Sequence, residues 1–331
     1  MMLILRRGLI AATTVASVNG AAMFGLLGSA TVAVAADKPA IAVSVADQKS
    51  LFYIAAVDGM REAAKQAGYE LRVASASNNS RQQINQIQNL LVQQPGALIF
   101  IPQDATSADA GVRSANQAGV PVIAVDERPE GGTAKLATYI ATDSVKAARD
   151  VCTWMFDQIG DKGNIAILTG VLGATAQLQR SQGCQEALAQ HPDVHVVARQ
   201  TANWDETEAY KAAQNILTAH TDIKGVFGES DAMAMGAAKA AKQGGRTGLV
   251  VVGIDGFPTM FQAIGAGLTQ ATMAQRPYTM GQTAVHNAIA LMNKTGSDIP
   301  PTQYVDAQLV DGKTIGQFKA TQFYGPRVGA Q

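Results

Sequence analysis

The sequence has few of the residues on which metal centres and nucleophilic enzymes depend. Only four histidines and two cysteines occur in 331 residues. The histidines show no metal-ligand spacing, and neither cysteine has a histidine at a catalytic spacing. The G-x-S-x-G and H-E-x-x-H motifs are also absent. We therefore expect no metal site, no cofactor and no enzymatic activity.

A surplus of basic residues is missing as well. Lysine and arginine total 26, as do aspartate and glutamate, so the formal net charge is 0. Loss of Arg6 and Arg7 with a cleaved leader would leave a net charge of about −2. Nucleic acids and anionic membrane surfaces attract basic patches. Neither is therefore expected as a partner.

Long apolar runs are missing except at the N-terminus. After Arg6 and Arg7 no charge occurs until Asp37, and the stretch closes with the A-x-A cleavage pattern Ala33-Val34-Ala35. An uncleaved anchor over 8–36 is the alternative, but glycine, serine and threonine make this stretch only weakly apolar. The sequence therefore predicts a signal peptide over 1–35 that uses the general secretion route.

The two cysteines, Cys152 and Cys184, both lie beyond the signal peptide. An exported protein meets an oxidising compartment, which permits a disulfide. The sequence does not give the distance that a disulfide requires. A disulfide and two buried thiols both remain open.

Short apolar runs alternate with amphipathic helical stretches in the first half of the mature chain. This βαβ rhythm predicts a parallel sheet with helices on both faces. The predicted strands are 41–45, 71–74, 97–101, 120–125 and 137–142, and the predicted helices are 54–67, a helix capped by Ser80, and 106–118.

The rhythm restarts after residue 142, which predicts a second α/β unit. Asp143 and Ser230 are expected to cap helices, and the tail from Asp311 is expected to wrap the surface. The predicted helices are 144–159, 176–190, 206–219, 231–243, 258–265 and 278–294, and the predicted strands are 164–168, 194–198, 225–227, 249–254, 269–274 and 304–310.

One apolar strand in each half ends on a carboxylate. Asp126 follows the run 120–125, and Asp255 follows the run 249–254. Ligands of open parallel sheets bind outside the carboxyl ends of the strands. The two aspartates therefore indicate two units that close on one polar ligand.

Several short motifs occur in order along residues 41–310: Asp58-Gly59, Gly68-Tyr69, Asn78-Asn79, Ala118 to Ile123, Arg180 with Gly183, Ala219-His220, and Val251 to Gly256. With these motifs the mature chain resembles the ribose-binding protein group of type I periplasmic binding proteins. The resemblance implies two doubly wound α/β lobes joined by three crossings. The implied lobes are 36–142 plus 276–304 and 143–275 plus 305–331, with hinges near Thr142, Arg276 and Tyr304.

The resemblance also implies a set of ligand-binding residues. Two of them are the strand-end carboxylates, and the others are aromatic, cationic or amide side chains. At the matching positions stand Phe52, Tyr53, Trp204, Asp126, Asp255, Arg180 and Gln275.

Three positions depart from the pattern of close relatives. Ser50 and Ser230 stand where those relatives carry asparagine, and Glu127 stands where an arginine follows the first aspartate. Arg128 comes one residue later and would share a face with Asp126 if the backbone stayed extended. We include Arg128, Ser50 and Ser230 among the expected ligand-binding residues, and the identity of the ligand stays open.

These side chains suit a sugar or polyol independently of the resemblance. A carboxylate accepts hydrogen bonds from vicinal hydroxyls, an arginine donates to hydroxyl oxygens, and aromatic rings cover the C–H face. Together with the export signal, the resemblance implies a monomeric periplasmic receptor. It would deliver a pentose, hexose or polyol to the inner-membrane permease of an ABC importer.

Three other functions could use this fold or these side chains. A sugar-responsive repressor of the same fold would need a DNA-binding helix-turn-helix in place of the export segment. A glycosidase would need one carboxyl group that acts as an acid. A sensor that presents a sugar or furanosyl signal to a chemoreceptor or sensor kinase cannot be separated from a transport protein by sequence.

Overall fold

The computed structural model describes residues 38–129 and 134–329. The predicted signal peptide over 1–35 lies outside the described residues. Among these residues, every helix is too short or too polar to span a bilayer.

The described residues contain twelve strands. In chain order they are Ile41–Val45 (β1), Leu71–Ser75 (β2), Ala97–Ile101 (β3), Val122–Val125 (β4), Thr138–Ala141 (β5), Gly163–Thr169 (β6), Val194–Thr201 (β7), Ile223–Gly228 (β8), Val250–Asp255 (β9), Ala271–Ala274 (β10), Thr302–Tyr304 (β11) and Gln308–Asp311 (β12).

Ten α-helices accompany these strands in the described ranges. They are Leu51–Ala67 (α1), Ser80–Val92 (α2), Ala105–Gln117 (α3), Ser144–Gln158 (α4), Thr175–Leu188 (α5), Glu206–Ala219 (α6), Asp231–Gln243 (α7), Pro258–Gly265 (α8), Pro277–Met292 (α9) and Thr321–Val328 (α10).

The strands form two six-stranded sheets, which confirms the predicted α/β fold with two doubly wound lobes. The first sheet has the order β11-β5-β4-β3-β1-β2, and the second has the order β12-β10-β9-β8-β6-β7. All pairs are parallel except β10 with β12. Helices α1, α2, α3 and α9 pack on the first sheet, whereas α4, α6 and α7 pack on the second.

Central strands are mostly apolar because helices cover both faces of each sheet. Every residue of β1 and β3 is buried. Two apolar clusters lie on opposite faces of the first sheet, one around Met60 and Met280 and the other around Ile87 and Phe100. This packing leaves the strand ends as the places where polar side chains gather.

Five of the ten described α-helices begin at an N-cap side chain that accepts a backbone N–H. The side chains of Asp143 and Ser230 accept hydrogen bonds from the backbone three residues on, as predicted. The prediction for Ser80 was wrong, because Asn79 is the N-cap of α2. The Ser80 hydroxyl instead donates to Asp104, which caps α3.

The chain passes between the two sheets at three places, close to the predicted hinges. The crossings follow β5, β10 and β11. The single strand predicted over 304–310 was wrong, since β11 belongs to the first sheet and β12 to the second. The exact lobe boundaries stay a prediction.

The tail beyond Asp311 does not simply wrap the surface as predicted. Helix α10 fully buries Phe323, Tyr324 and Val328. The ring of Phe323 packs on Phe261 at 5.7 Å between centroids, a contact that lies outside any local sequence pattern. Aromatic burial therefore anchors the tail.

The two cysteines form a disulfide. Cys152 of α4 and Cys184 of α5 are bonded, with their Cα atoms 5.5 Å apart. The bond fixes α5 against α4, which packs on the second sheet.

Candidate functional site

A cleft of about 810 Å³ lies at the carboxyl ends of the strands. The structure brings nine of the ten predicted site residues together along its walls. The residues that line the cleft are Ser50, Phe52, Tyr53, Asp126, Arg180, Trp204, Ser230, Asp255 and Gln275.

Asp255 ends β9 and is held by donors on three sides. Its carboxylate accepts hydrogen bonds from Gln275 Nε2 at 2.9 Å, from Arg180 at 3.4 Å and from the backbone N–H of Asp231 at 3.3 Å. The hydroxyl of Tyr324 donates to the backbone carbonyl of Asp255 at 3.0 Å. The side chain is thus fixed in one orientation at the cleft wall.

Arg180 projects from α5 and is buried. It donates to the carbonyl of Glu229 at 2.5 Å, and its guanidinium lies 5.4 Å from the ring centroid of Trp204. Its Nε atom is buried and has no hydrogen-bond partner in the described part of the chain. The Nε–H group of Arg180 is therefore available to donate a hydrogen bond to a ligand oxygen.

Asp126 follows β4 in a left-handed backbone conformation, with φ of 67°. The hydroxyl of Tyr139 donates to its carbonyl at 2.6 Å. Burial raises the pKa of the Asp126 carboxyl to about 7, the charge of Glu127 adds to the rise, and the charge of Arg180 opposes it. Asp126 is therefore an acceptor whose charge changes near neutral pH.

The predicted aromatic residues occupy two sides of the cleft. Phe52 and Tyr53 lie in the first turn of α1, with their rings edge to face at 5.7 Å. Trp204 follows β7 and packs on Gly170, where an added Cβ would lie 2.0 Å from the indole ring. Glycine at 170 is what allows the indole to lie against the end of β6.

The smaller predicted residues differ in their hydrogen bonds. Ser230 caps α7, as expected, through a bond of 3.3 Å to the N–H of Met233. Ser50 stands at the N-cap of α1, but its hydroxyl makes no capping bond. Gln275 keeps a buried Oε1 without a partner among the described residues. Ser50 and Gln275 thus have hydrogen-bonding capacity left for a ligand.

Arg128 is the predicted residue that the structure does not place on the cleft wall. It is exposed, and its guanidinium lies 5.5 Å from the ring centroid of Tyr139. The expectation required an extended segment, and the left-handed turn at Asp126 contradicts that geometry. Glu127 lines the cleft instead.

Two buried acids beneath the site escaped the sequence prediction. Asp231 accepts hydrogen bonds from the backbone N–H groups of Gly256 and Phe257 at 2.6 and 2.8 Å, which fixes the turn after Asp255. Burial raises the pKa of Asp231, and the nearby charge of Asp255 raises it further. Glu229 accepts from the N–H of Gly170 at 2.9 Å. The run Glu229-Ser230-Asp231 directly after a strand was the sequence pattern that could have predicted these two acids.

Comparisons with known proteins agree with this geometry. The sequence model of one protein family, the periplasmic binding protein domain, matches residues 41–296. The ribose import binding protein of Escherichia coli K12 is 32% identical over 283 residues, covering 85% of this chain and 94% of that protein. The xylitol-binding protein of Mycolicibacterium smegmatis is 37% identical over 251 residues, covering 75% of this chain and 71% of that protein.

Solved structures show the same similarity. An ABC transporter periplasmic solute binding protein from Actinobacillus succinogenes 130z, with bound D-allose, has a TM-score of 0.81 and 31% identity. The match covers 85% of this chain and all of that one. An ABC transporter solute binding protein from Bacillus halodurans C-125, with bound myo-inositol, has a TM-score of 0.79 and 28% identity over 85% of this chain and 97% of that one. The chain therefore belongs to the periplasmic binding protein family.

Proposed function

We propose that this protein is the solute-binding component of an ABC importer and that it binds a monosaccharide or polyol in the cleft. One observation carries the proposal. Asp126 and Asp255, one from each sheet, line a single cleft together with the guanidinium of Arg180. Acceptors and a donor on opposing walls suit a ligand that has hydroxyl groups around its whole perimeter.

The charges of the cleft favour a neutral ligand. Of the acidic residues on its walls, Asp47, Asp104, Glu127 and Asp205 already accept backbone N–H groups. Asp126 and Asp255 also line the walls, although Asp255 itself accepts the N–H of Asp231 at 3.3 Å. Lys49 and Arg180 are the basic residues on the walls. An added carboxylate or phosphate on the ligand would face this excess of negative charge. Uncharged sugars and polyols are therefore preferred over uronic acids and sugar phosphates.

The ligands of relatives are consistent with this class. The names of similar proteins refer to ribose, xylitol and D-apiose, and similar solved structures contain D-allose and myo-inositol. These compounds are neutral and rich in hydroxyl groups. They differ in size and ring form, and hence leave the choice among pentose, hexose and polyol to measurement.

The proposed mechanism is closure about the three crossings. A ligand that contacts both walls binds the closed form more tightly and shifts the population toward it. The hinges would lie near Thr142, Arg276 and Tyr304, where the chain leaves one sheet for the other. The closed form is then the one that the permease recognises in the periplasm after export and removal of residues 1–35.

Signal presentation is the second candidate function. The fructose-binding periplasmic domain of a hybrid two-component system has a TM-score of 0.77 and 25% identity with this chain. A sensor role would use the same cleft and the same closure. Uptake of the ligand in a strain that lacks this protein, compared with its parent, separates the two functions, since a pure sensor leaves uptake intact.

The direct test is thermal unfolding of residues 36–331 with a panel of ligands. The panel contains D-ribose, D-allose, xylitol and myo-inositol, with ribose 5-phosphate and D-glucuronate as charged counterparts and amino acids as controls. A ligand present at about a hundred times its Kd stabilises the folded form by ~2.7 kcal/mol. A shift with neutral compounds alone supports the proposal. A shift with amino acids alone, or with the charged counterparts alone, contradicts it.

A further inference from the structure

Helix α5 starts without a cap of its own. Its N-cap residue is Ala174, which has no side chain that could accept a hydrogen bond. The first N–H groups of a helix need acceptors from elsewhere. Thr175 and Ala176 provide these first N–H groups in α5.

The missing cap is supplied by the other lobe. Glu127 directly follows Asp126 after β4 of the first sheet, and its Oε2 accepts the N–H of Thr175 at 2.9 Å. Its Oε1 lies 3.5 Å from the N–H of Ala176, and the backbone N–H of Arg128 lies 3.4 Å from the Thr175 hydroxyl. The Glu127 side chain is buried, with 6% of the residue exposed.

This contact joins two parts of the proposed binding site. Glu127 is adjacent in the chain to Asp126, and α5 carries Arg180 from the second lobe. A negative charge at a helix N-terminus is stabilised by the helix dipole and by the free N–H groups. Capping α5 therefore also holds Arg180 close to the acceptors of the opposite wall.

We propose that Glu127 is an interlobe clasp, a positioning residue that caps α5 only when the two lobes are closed. The inference rests on the proposed closure around a ligand. On opening, the carboxylate and the N–H groups separate and return to water, so the contact stabilises the closed form alone. A larger closed fraction raises the apparent affinity for every ligand by the same factor.

The expected effect follows from the strength of a capping interaction. Glu127→Ala and Glu127→Gln are expected to raise Kd by about 5- to 30-fold, which corresponds to about 1–2 kcal/mol. The factor should be equal for D-ribose, D-allose and xylitol in calorimetry, because the clasp acts on closure. Unequal factors would mean that Glu127 contacts the ligand directly, and would overturn the proposal.

A second measurement needs no ligand. Exposed Arg81 on α2 and Lys211 on α6 are changed to cysteine and spin-labelled. The disulfide leaves no free thiol among the described residues to compete for the label. Without ligand, Glu127→Ala should lower the closed fraction in the distribution of inter-label distances by the same factor by which its Kd rises. An unchanged distribution refutes the clasp, even if none of the three sugars binds and the proposed function fails separately.

A cap restored within α5 separates the clasp from plain helix stabilisation. Ala174 has φ of −66° and ψ of 142°, a conformation in which a serine hydroxyl can cap the helix. Glu127→Ala combined with Ala174→Ser should recover the thermal stability lost in Glu127→Ala but not its closed fraction. Recovery of both would show that Glu127 only caps the helix, which contradicts the proposal.

Discussion

Asp126→Asn should lower ligand affinity and raise the stability of the protein. The wild-type carboxyl has its pKa raised to about 7, chiefly by burial. Its charged form is therefore costly in the folded protein at neutral pH but is the stronger hydrogen-bond acceptor for a ligand. Because the charged carboxyl helps binding and costs stability, Asp126→Asn should lower the affinity and raise the free energy of unfolding together.

The effect on affinity can be sized from the pKa. If the ligand requires the Asp126 carboxylate, Kd rises about tenfold for each pH unit below about 7, and Asp255, whose pKa burial raises to about 6, adds to the rise at lower pH. Calorimetry between about pH 5 and 8 with the ligand that stabilises most measures this slope. At about pH 8, loss of one charge-assisted bond of ~1.5–3 kcal/mol weakens binding about 10- to 150-fold in Asp126→Asn.

The effect on stability has the opposite sign. The pKa of Asp126 is higher in the folded than in the unfolded protein, so the folded protein binds the proton more tightly. The stability that protonated Asp126 contributes is fully present below its pKa in the unfolded protein, about 3.9. It is lost as the pH rises through about 7. At about pH 8, Asp126→Asn should therefore have the higher free energy of unfolding, and asparagine also tolerates the left-handed backbone there.

Asp143→Asn is the matched control. Asp143 caps α4 by accepting the N–H of Lys146 at 2.9 Å, away from the cleft, and asparagine caps as well as aspartate. The control should change neither quantity. Wild-type affinity that is flat from about pH 5 to 8, together with unchanged affinity in Asp126→Asn, would refute the role of Asp126 as the ligand's acceptor.

Two further predictions concern the second lobe. Gly170→Ala places a Cβ 2.0 Å from the Trp204 ring, so calorimetry should show weaker ligand binding, whereas Gly265→Ala meets nothing within 4 Å and should bind normally. Replacing Cys152 and Cys184 by serine removes a link that spans 32 positions, and urea unfolding should show a loss of about 3–4 kcal/mol; an unchanged midpoint would contradict this estimate.

The strand ends could be predicted because the signals are local. Apolar runs such as 120–125 and 249–254 identify strands, and a general rule places ligands beyond their ends. Those two steps located Asp126 and Asp255 on one cleft. The resemblance then supplied Arg180, which no local pattern distinguishes from a surface residue of a helix.

Side-chain direction after a strand could not be predicted in the same way. Arg128 was expected in the cleft on the assumption that the backbone after Asp126 stays extended. Side chains two residues apart share a face only in extended backbone. The left-handed conformation of Asp126 reverses the direction, so Glu127 enters and Arg128 leaves. Non-glycine residues rarely adopt the left-handed conformation, and the local sequence did not predict it at Asp126.

Long-range packing was the other limit of the sequence. The tail around Phe323 and Tyr324 lacks helical periodicity over a long window, yet both side chains are buried. Their partners, Phe257 and Phe261, lie more than sixty positions earlier. Only the folded arrangement shows that this cluster exists.

The interleaving of distant segments in the first lobe constrains how the chain folds. Tyr278 of α9 bonds to Glu62 of α1 across 216 positions, and α9 packs along α1. Strand β11 completes the edge of the first sheet beside β5. The N-terminal lobe therefore cannot finish folding until nearly the whole chain has been synthesised. Contacts of such long sequence separation make folding slow, so the first lobe is completed late.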